Sequence, residues 1–260
     1  MQYTIVIPAR HDSERIRTKP LIEIGEKSML QHVWERAIKS SANDVIIATD
    51  HQEIESVATK FGAKVCMTRC DHKSGTDRLQ EVASLYGYDG TRIMVNVQGD
   101  EPLIPPSVID QVAKMLFDHQ DVGVATLSAP IEHVEDFLDP NIVKVVTDKN
   151  NHALMFSRAP IPWPRADFSS EKRSLSNLSP TARHVGLYAY RVNALNDFVS
   201  WPTCAIEQIE RLEQLRFIYH GVQLLVHRAC ENVPEGVDTI KDLERVRNLV
   251  ELSMNTSAKT

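Results

Sequence analysis

Short runs of apolar, largely β-branched residues alternate with helix-patterned segments through the first half of the chain. The predicted strands are Tyr3–Ile7, Val45–Ala48, Lys64–Met67, Arg92–Val97 and Val122–Leu127, and the helices between them are Ser28–Ser40, Gln52–Phe61, Asp77–Tyr86 and Ser107–Asp118. Apolar strands separated by helices imply a parallel sheet covered on both faces. The sequence therefore predicts an α/β fold with a doubly wound, mostly parallel sheet, in which ligands bind beyond the carboxyl ends of the strands.

The second half is less regular. Three prolines in APIPWPR exclude a central strand or helix there, and the polar segment Ala166–Arg183 is expected to be a mobile surface excursion. The later pattern predicts a strand at Val185–Tyr190, a long helix at Ile206–Tyr219, a strand at Gln223–His227 and a closing helix from Thr239, with Asp242 completing a capping box. We predict one domain over residues 1–252, with 158–200 as a small irregular arm and 253–260 as a disordered tail.

Composition excludes several classes of partner. The 260 residues carry a formal net charge of −6, which argues against nucleic acid and anionic membranes because both attract basic surfaces. The four cysteines form no CxxC pair, which is typical of reduced thiols in a reducing compartment. The sequence shows neither a signal peptide nor a run of ~20 apolar residues. We therefore expect a cytoplasmic protein without membrane insertion.

The loop after the first strand is rich in cations. Arg10, Arg15 and Lys19 follow that strand within one segment. A nucleoside triphosphate needs such cations, because Arg gives bidentate contacts to phosphate and Lys a point charge. The segment lacks the GxxxxGK[ST] pattern of a P-loop, and a solvated basic loop explains it equally well.

Two further loops carry candidate binding residues. After the third strand, Gly75 would let the backbone approach a ligand, and Ser74 or Thr76 could cap the next helix, which alone would explain this loop. After RIMVNV, Asp100 is a carboxylate at the end of a central strand, and Asp238 precedes the last helix. Mg²⁺ usually takes one or two carboxylates together with substrate phosphates, so this pair would suffice. Each aspartate taken alone is more typical of a turn or a cap.

Polar side chains also flank the irregular middle and occupy the helix after it: Arg158, Arg165, His184, Tyr188, Glu210, Glu213 and Gln214. Those before the helix could bind a sugar carboxylate and hydroxyls, or could be interface and surface groups. For those on the helix, a solvated face is the default interpretation.

Taken together and in order, these segments resemble the 3-deoxy-manno-octulosonate (Kdo) cytidylyltransferase family. The matching pieces run from about Ile5 to Val246: IPARxxSxR…KPL, VIIATD, FGAKVCMT, DHKSGTDRL, VNVQGDEPLIPP, FSRAPIPW, HVGLYAYR, LEQLR and GVDT…DLERVR. Each piece alone is weak evidence for the family, whereas the whole set in this order is specific to it.

This resemblance implies a nucleotide-diphospho-sugar-transferase-like core, dimeric through its arm, that joins CTP and Kdo to give CMP-Kdo and pyrophosphate for lipopolysaccharide assembly. It implies Mg²⁺ as cofactor, held by Asp100 and Asp238, which would be catalytic together with Lys19 and Arg15. By the same match, CTP would be bound by Arg10, Ser13, Arg15, Lys19, Ser74 and Gln98. The sugar acid would be bound by Gln98, Arg165, His184, Tyr188, Glu213 and Gln214.

The sequence departs from this family where the first loop ends. Arg17 and Thr18 replace the Pro and Gly of the usual RLPGKPL, and Gly allows backbone conformations and a close phosphate approach that a β-branched Thr does not. Two alternatives therefore stay open. One is a cytidylyltransferase for another sugar acid, such as amino-Kdo or a sialate-like acid. The other is an inactive paralogue that binds nucleotide or sugar.

Overall fold

The computed structural model describes residues 1–11, 18–169, 175 and 181–257. Its strands are β1 (Tyr3–Ala9), β2 (Glu23–Ile24), β3 (Lys27–Ser28), β4 (Asp44–Thr49), β5 (Lys64–Met67), β6 (Ile93–Asn96), β7 (Val124–Ala129), β8 (Lys144–Thr147), β9 (Ala153–Ser157), β10 (Thr181–Arg191) and β11 (Leu224–Arg228). Its helices are α1 (Met29–Ala37), α2 (Gln52–Lys60), α3 (Gly75–Leu85), α4 (Pro106–Asp118), α5 (Val134–Leu138), α6 (Val192–Ser200), α7 (Ala205–Glu210), α8 (Leu215–Tyr219) and α9 (Ile240–Ser257).

The central sheet has the strand order β11-β7-β10-β6-β1-β4-β5. Neighbouring strands along this order are parallel except at β10, which runs antiparallel to both β6 and β7. Strand β8 pairs with the start of β10, and β9 pairs with β8. The prediction of a mostly parallel sheet is confirmed.

Helices cover both faces of this sheet because successive side chains of a strand point to opposite sides. Along β1, Ile5 and Ile7 pack in one apolar cluster with residues of α1, α2 and α4. Val6, between them, packs in a second cluster with residues of α3, α6 and α8. The fold is therefore doubly wound, and the carboxyl ends of its parallel strands share one edge.

The predicted elements of the first half are all present, with ends shifted by three residues or fewer. The long helix predicted over Ile206–Tyr219 is wrong: Arg211 takes a left-handed conformation, with φ of 53°, and separates α7 from α8. This turn buries Leu212 and brings Arg216 Nε to 2.8 Å from a carboxylate oxygen of Glu207. The burial of Leu212 and this ion pair stabilise the turn more than a continuous helix would.

The irregular middle is shorter than predicted. Strand β10 already begins at Thr181, within the segment expected to be a surface excursion, and α6 packs in the core although the predicted arm includes it. At the other end, α9 continues to Ser257, inside the tail predicted from residue 253, and residues 258–260 lie outside the described chain. The predicted capping box of α9 is confirmed, since Asp242 N donates to Thr239 Oγ1 at 3.2 Å and Thr239 N to the Asp242 carboxylate at 2.9 Å.

Two observations bear on the predictions about cysteines and membrane insertion. All four cysteines are free thiols, with Cys66 and Cys204 buried and Cys70 and Cys230 exposed. Among the helices of the described residues, none has the length and apolar character needed to cross a membrane.

A buried ion pair anchors α3, which carries the second loop. Arg78 is fully buried, and its Nη2 donates to Asp50 Oδ2 at 2.6 Å, at the end of β4. Its Nη1 donates to the hydroxyl of buried Thr68. These contacts tie the first turn of α3 to the edge of the sheet.

We expect Asp50→Ala to lower the free energy of unfolding by about 3 kcal/mol, because it leaves the Arg78 charge buried without a counter-charge. Urea denaturation measures this loss. The matched control is Asp44→Ala, which removes the partner of exposed Lys64 at 3.3 Å and should cost less than about 1 kcal/mol. Equal losses in the two variants would contradict the anchoring role of Arg78.

Candidate active site

The three loops singled out in the sequence meet in one cavity at the carboxyl edge of the sheet. This three-loop cavity has a volume of about 330 Å³. Its lining is Pro8, Arg10, Lys19, Pro20, Lys73, Ser74, Gly75, Gln98, Gly99 and Asp100. It lies where β1 and β6 end, beside the first turn of α3.

Glycines allow the loops to approach so closely. A Cβ on Gly99 would lie 2.9 Å from the carbonyl oxygen of Pro8, which is closer than real Cβ contacts come. A Cβ on Gly75 would lie 3.4 Å from the Pro8 ring and 3.5 Å from Asn96 Nδ2. The second and third loops therefore pack directly on the end of β1.

Ser74 caps α3, as the capping interpretation predicted. Its hydroxyl accepts from Asp77 N at 3.2 Å, and the Asp77 carboxylate accepts from Ser74 N at 2.9 Å. The N-terminus of this helix, together with Ser74 and Gly75, therefore borders the cavity. Such an end carries a partial positive charge, which favours anions.

Thr18 adopts the conformation that glycine would supply. Its φ and ψ are 50° and 32°, in the left-handed region, so the expectation that a β-branched residue would not take this conformation is wrong. For L-residues that region costs about 1–2 kcal/mol. The conformation opens a tight turn, in which Leu21 N donates to Thr18 O at 2.8 Å and Lys19 enters the cavity.

The two candidate metal ligands converge on Lys19. Its Nζ lies 2.6 Å from Asp100 Oδ2 and 3.2 Å from Asp238 Oδ1. Asp238 reaches this position because Val237 N donates to Asp100 O at 2.9 Å, which docks the segment before α9 onto the third loop. Two carboxylates that share one cationic partner form an oxygen donor set of the kind that Mg²⁺ prefers.

Glu101 adds a third carboxyl beside this pair, and the sequence analysis did not identify it. Burial and the neighbouring charge of Asp100 raise the pKa of Glu101 to about 8. This carboxyl is therefore mainly protonated at neutral pH, which limits the negative charge next to Asp100 and Asp238.

Arg10 has a buried hydrogen-bond donor that lacks an acceptor. Its side-chain Nη2 is buried and finds no hydrogen-bond acceptor among the described residues. Burial and the nearby Arg78 lower the pKa of the Arg10 guanidinium. A buried guanidinium donor without an acceptor is costly, and a phosphate oxygen at this position would supply the missing acceptor.

Asn96 is a buried polar residue beneath the site that the sequence analysis missed. It ends β6, is fully buried, and neither its amide oxygen nor its amide nitrogen has a partner in the part of the chain that the structure describes. Buried polar groups are normally hydrogen-bonded, so this amide beneath Gly75 is an exception. It lines none of the three cavities of the described chain. The available signal was a lone amide in the apolar run RIMVNV.

A second cavity of about 670 Å³ adjoins the carboxylates. Glu101, Arg158, Arg183, His184 and Asp238 are among its lining residues. Two arginines line it together with six carboxyl side chains, which are those of Glu101, Asp136, Asp139, Glu235, Asp238 and Asp242. Arg183 was not identified from the sequence. The lining is acidic as a whole, and the two guanidinium groups are the contacts that it offers to an acidic ligand.

The predicted sugar-binding residues are only partly brought together. His184 Nε2 lies 3.1 Å from Thr126 Oγ1, and its ring packs against Tyr188, which stacks on Tyr190. The Tyr190 hydroxyl lies 3.5 Å from Thr76 Oγ1, which donates to Glu213 Oε1 at 2.8 Å. A row of buried side chains thus joins His184 to Glu213 beneath the site.

Glu213 lies at the other end of this row and lines a third cavity, of about 820 Å³, together with Ser74. Burial raises the pKa of its carboxyl. Its Oε2 accepts no hydrogen bond from the residues that the structure describes.

The remaining predicted residues lie outside this row, and some of them lie outside the residues that the structure describes. Gln98 lines the three-loop cavity. Gln214 is buried at the start of α8 and Arg165 is exposed, and neither lines any of these three cavities in the described chain. Ser13 and Arg15 lie outside the described residues, as does Arg17.

Sequence comparison identifies a matching family model and similar proteins. A family model described as cytidylyltransferase matches residues 4–225. A 3-deoxy-manno-octulosonate cytidylyltransferase of Pseudomonas fluorescens is 54% identical over 249 residues, covering 96% of this chain and 98% of the relative. A protein of the same name from Cellvibrio japonicus is 54% identical over 253 residues, covering 97% of this chain and 99% of the relative.

Two solved structures are similar to this chain. The structure of a CMP:2-keto-3-deoxy-manno-octonic acid synthetase in complex with CTP superposes with a TM-score of 0.86 at 39% identity, covering 97% of this chain and 100% of that one. A cytidylyltransferase from Leptospira borgpetersenii shares the fold at 15% identity, with a TM-score of 0.62 over 96% of this chain and 87% of that one.

We expect Gly99→Ala to lower the free energy of unfolding by about 1–3 kcal/mol, the usual range for overpacking, because its Cβ would meet the backbone of Pro8. Denaturant unfolding measures the loss. Gly186→Ala is the matched control, since a Cβ there meets nothing within 4 Å, and it should change stability by less than about 0.5 kcal/mol. A Gly99→Ala protein as stable as this control would contradict the close approach of the loops.

We expect His184 to make the fold less stable in acid. Burial, and next the charge of Arg183, lower the pKa of His184 to about 3, against about 6.5 in an unfolded chain. Below pH 6.5 the unfolded chain therefore binds a proton that the folded protein does not, and stability falls as pH falls, by about 2 kcal/mol at pH 5. The measurement compares unfolding free energies at pH 7 and pH 5.

His184→Gln should lose less stability than the parent protein between these two pH values. His119→Gln, on the exposed surface, serves as the control and should behave as the parent does. If the His184→Gln protein shows the same pH dependence as the parent, the buried neutral state of His184 is refuted.

Proposed function

This chain belongs to the cytidylyltransferase family, and we propose that it transfers the cytidylyl group of CTP to 3-deoxy-manno-octulosonate, giving CMP-Kdo and pyrophosphate. The relatives that match nearly its whole length carry the name of this reaction. The observation that carries the proposal is the three-loop cavity, where cations and a helix N-terminus surround a space that suits a nucleoside triphosphate. The product would serve lipopolysaccharide assembly.

In this proposal the triphosphate lies among Arg10, Lys19 and Lys73. Each of the three lines the three-loop cavity, and Arg10 has a donor left for a phosphate oxygen. These cations would neutralise phosphate charge in the bound substrate and in the pyrophosphate as it leaves. Ser13 and Arg15 remain predicted partners of the same phosphates.

The sugar acid would bind in the second cavity. Arg158 and Arg183 offer guanidinium groups for its carboxylate, and His184, held neutral by burial, offers a polar contact for a hydroxyl. This cavity shares Asp238 with the carboxylate pair, so a sugar bound there would lie beside the phosphates. Tyr188 and Glu213 would act from the buried row, and the roles predicted for Gln98, Arg165 and Gln214 remain predictions.

The chemistry is an in-line displacement at the α-phosphorus. The anomeric hydroxyl oxygen of the sugar forms the new bond to the α-phosphorus and releases its proton to solvent. The bond from the α-phosphorus to the oxygen that bridges to the β-phosphate breaks, and pyrophosphate leaves. Asp100 and Asp238 would hold Mg²⁺, which, when bound, supplies positive charge that orients and neutralises the phosphates. Lys19, now between the two carboxylates, would then be placed to contact phosphate oxygens.

Three finer points remain predictions. They are the dependence on Mg²⁺, the homodimer formed through residues 158–200, and the cytoplasmic location.

The test of the function is pyrophosphate release from CTP and Mg²⁺ by the purified protein, run in parallel with Kdo, with a sialate, with amino-Kdo and without sugar. We expect release that requires Kdo. Release only with another sugar acid would keep the chemistry and overturn the substrate. Intact CTP binding without release under any condition would identify an inactive paralogue.

We expect Asp100→Asn to lower kcat at least about a hundredfold while the fold is kept, because a metal-binding carboxylate contributes several kcal/mol to transition-state stabilisation. Asp118→Asn is the control, since Asp118 pairs with Lys114 on the surface and should leave kcat unchanged. Circular dichroism checks the fold of both variants. Near-parental turnover by Asp100→Asn would overturn the metal assignment.

A further inference from the structure

A cluster of three potential metal ligands lies apart from the carboxylate pair. His11, His51 and Glu53 each offer one ligand atom, and these atoms lie within 4.8 Å of one another. Within the described residues, none of the three lines a cavity named above. Nothing in the proposed reaction uses them.

The strand register brings the two histidines together. Ala9 at the end of β1 pairs with Thr49 at the end of β4. His11 and His51 each follow these partners by two residues, so both leave the carboxyl edge at the same level. Their rings stack with centroids 3.7 Å apart and an interplanar angle of 19°.

Glu53 completes the cluster from the first turn of α2, where His51 is the N-cap residue. Its Oε2 lies 3.5 Å from His11 Nε2. Ligand atoms about 2.0–2.1 Å from a tetrahedral ion lie about 3.4 Å apart. The His11–Glu53 distance already matches this spacing. A separation of 4.8 Å would have to shorten by about 1.4 Å, and the two stacked rings would have to turn so that both nitrogen lone pairs face the ion. Partly exposed side chains can accommodate these changes.

We propose that His11, His51 and Glu53 form a binding site for a borderline-soft divalent cation such as Zn²⁺, distinct from the site of Asp100 and Asp238. Two imidazoles and one carboxylate suit Zn²⁺, Co²⁺ or Ni²⁺, whereas Mg²⁺ favours oxygen donors alone. A water would fill the fourth position. The ion would join the residue after Arg10 to the first turn of α2.

The charges around His11, His51 and Glu53 permit a cation to bind there. A cation at a helix N-terminus meets an unfavourable dipole, and Glu53 and Glu55 in the first turn of α2 offset it. His51 Nδ1 now accepts a hydrogen bond from Glu53 N at 3.3 Å. Binding of the ion through Nε2 would move the ring proton to Nδ1, which could then no longer accept from Glu53 N, so the ring would turn away from this long contact as the metal bond forms.

The experiment is a Co²⁺ titration of the full chain in excess Mg²⁺, followed by visible d–d absorption, with Zn²⁺ as competitor. We expect one equivalent to bind, without the near-ultraviolet thiolate band that exposed Cys70 or Cys230 would produce. His51→Ala, His11→Ala and Glu53→Gln should each weaken binding at least about tenfold, since loss of even an outer-shell partner has that effect. Zn²⁺ should also raise the unfolding temperature of the parent protein and not that of His51→Ala.

Two controls locate the ion. His119→Ala removes a histidine of another pair, whose ring packs edge-on against His227 at 6.2 Å, and should leave binding unchanged. Asp100→Asn should also leave it unchanged. Binding that survives His51→Ala, that is lost in Asp100→Asn, or that is absent from the parent protein would overturn the proposal and leave an ordinary His11–Glu53 ion pair.

Discussion

The contact of one ammonium group with two carboxylates organises the functional edge of this protein. Lys19, Asp100 and Asp238 come from the first loop, the third loop and the segment before the last helix, so they join parts of the chain more than 200 residues apart. Two carboxylates held this close repel each other unless a cation lies between them. Lys19 reaches them because Thr18 accepts a left-handed backbone, and Asp238 does because Val237 docks on the third loop. The loops that form the cavity thus depend on electrostatic balance as well as on packing.

The interior beneath this edge keeps polar groups that the protein alone does not satisfy. Arg10, Asn96 and Glu213 each bury a donor or acceptor without a partner among the described residues. Each such group opposes folding. Apolar clusters on both faces of the sheet stabilise the fold despite this cost. Arg10 and Glu213 line cavities, where a bound ligand would supply the missing partners. Asn96 lines none of the three cavities of the described chain.

The parts of the fold that were predictable are those specified locally. The parallel strands of the first half are apolar runs, and the helices between them include locally capped ones, as at Ser28 and Ser74. The break at Arg211 was not predictable, because the helical pattern continues through it and only the burial of Leu212 and the Glu207–Arg216 pair favour the turn. Strand β10 was predicted only in part. Its first residues gain their strand character from pairing with β8, a contact that no local pattern reveals.

The positions of the candidate binding loops were predictable from the sequence alone. Cations, glycines and carboxylates that follow parallel strands must gather at one edge, because all those strands end there. The side chains that meet within those loops depend on the folded arrangement, and no local pattern predicts them. Among the predicted sugar-binding residues, His184 and Tyr188 join Glu213 through a buried row, whereas Arg165 and Gln214 line none of the described cavities. Register likewise places His11 beside His51, although 40 residues separate them. The reason is that spacing along a chain fixes the face of an element, while strand register and burial fix the direction and neighbours of each side chain.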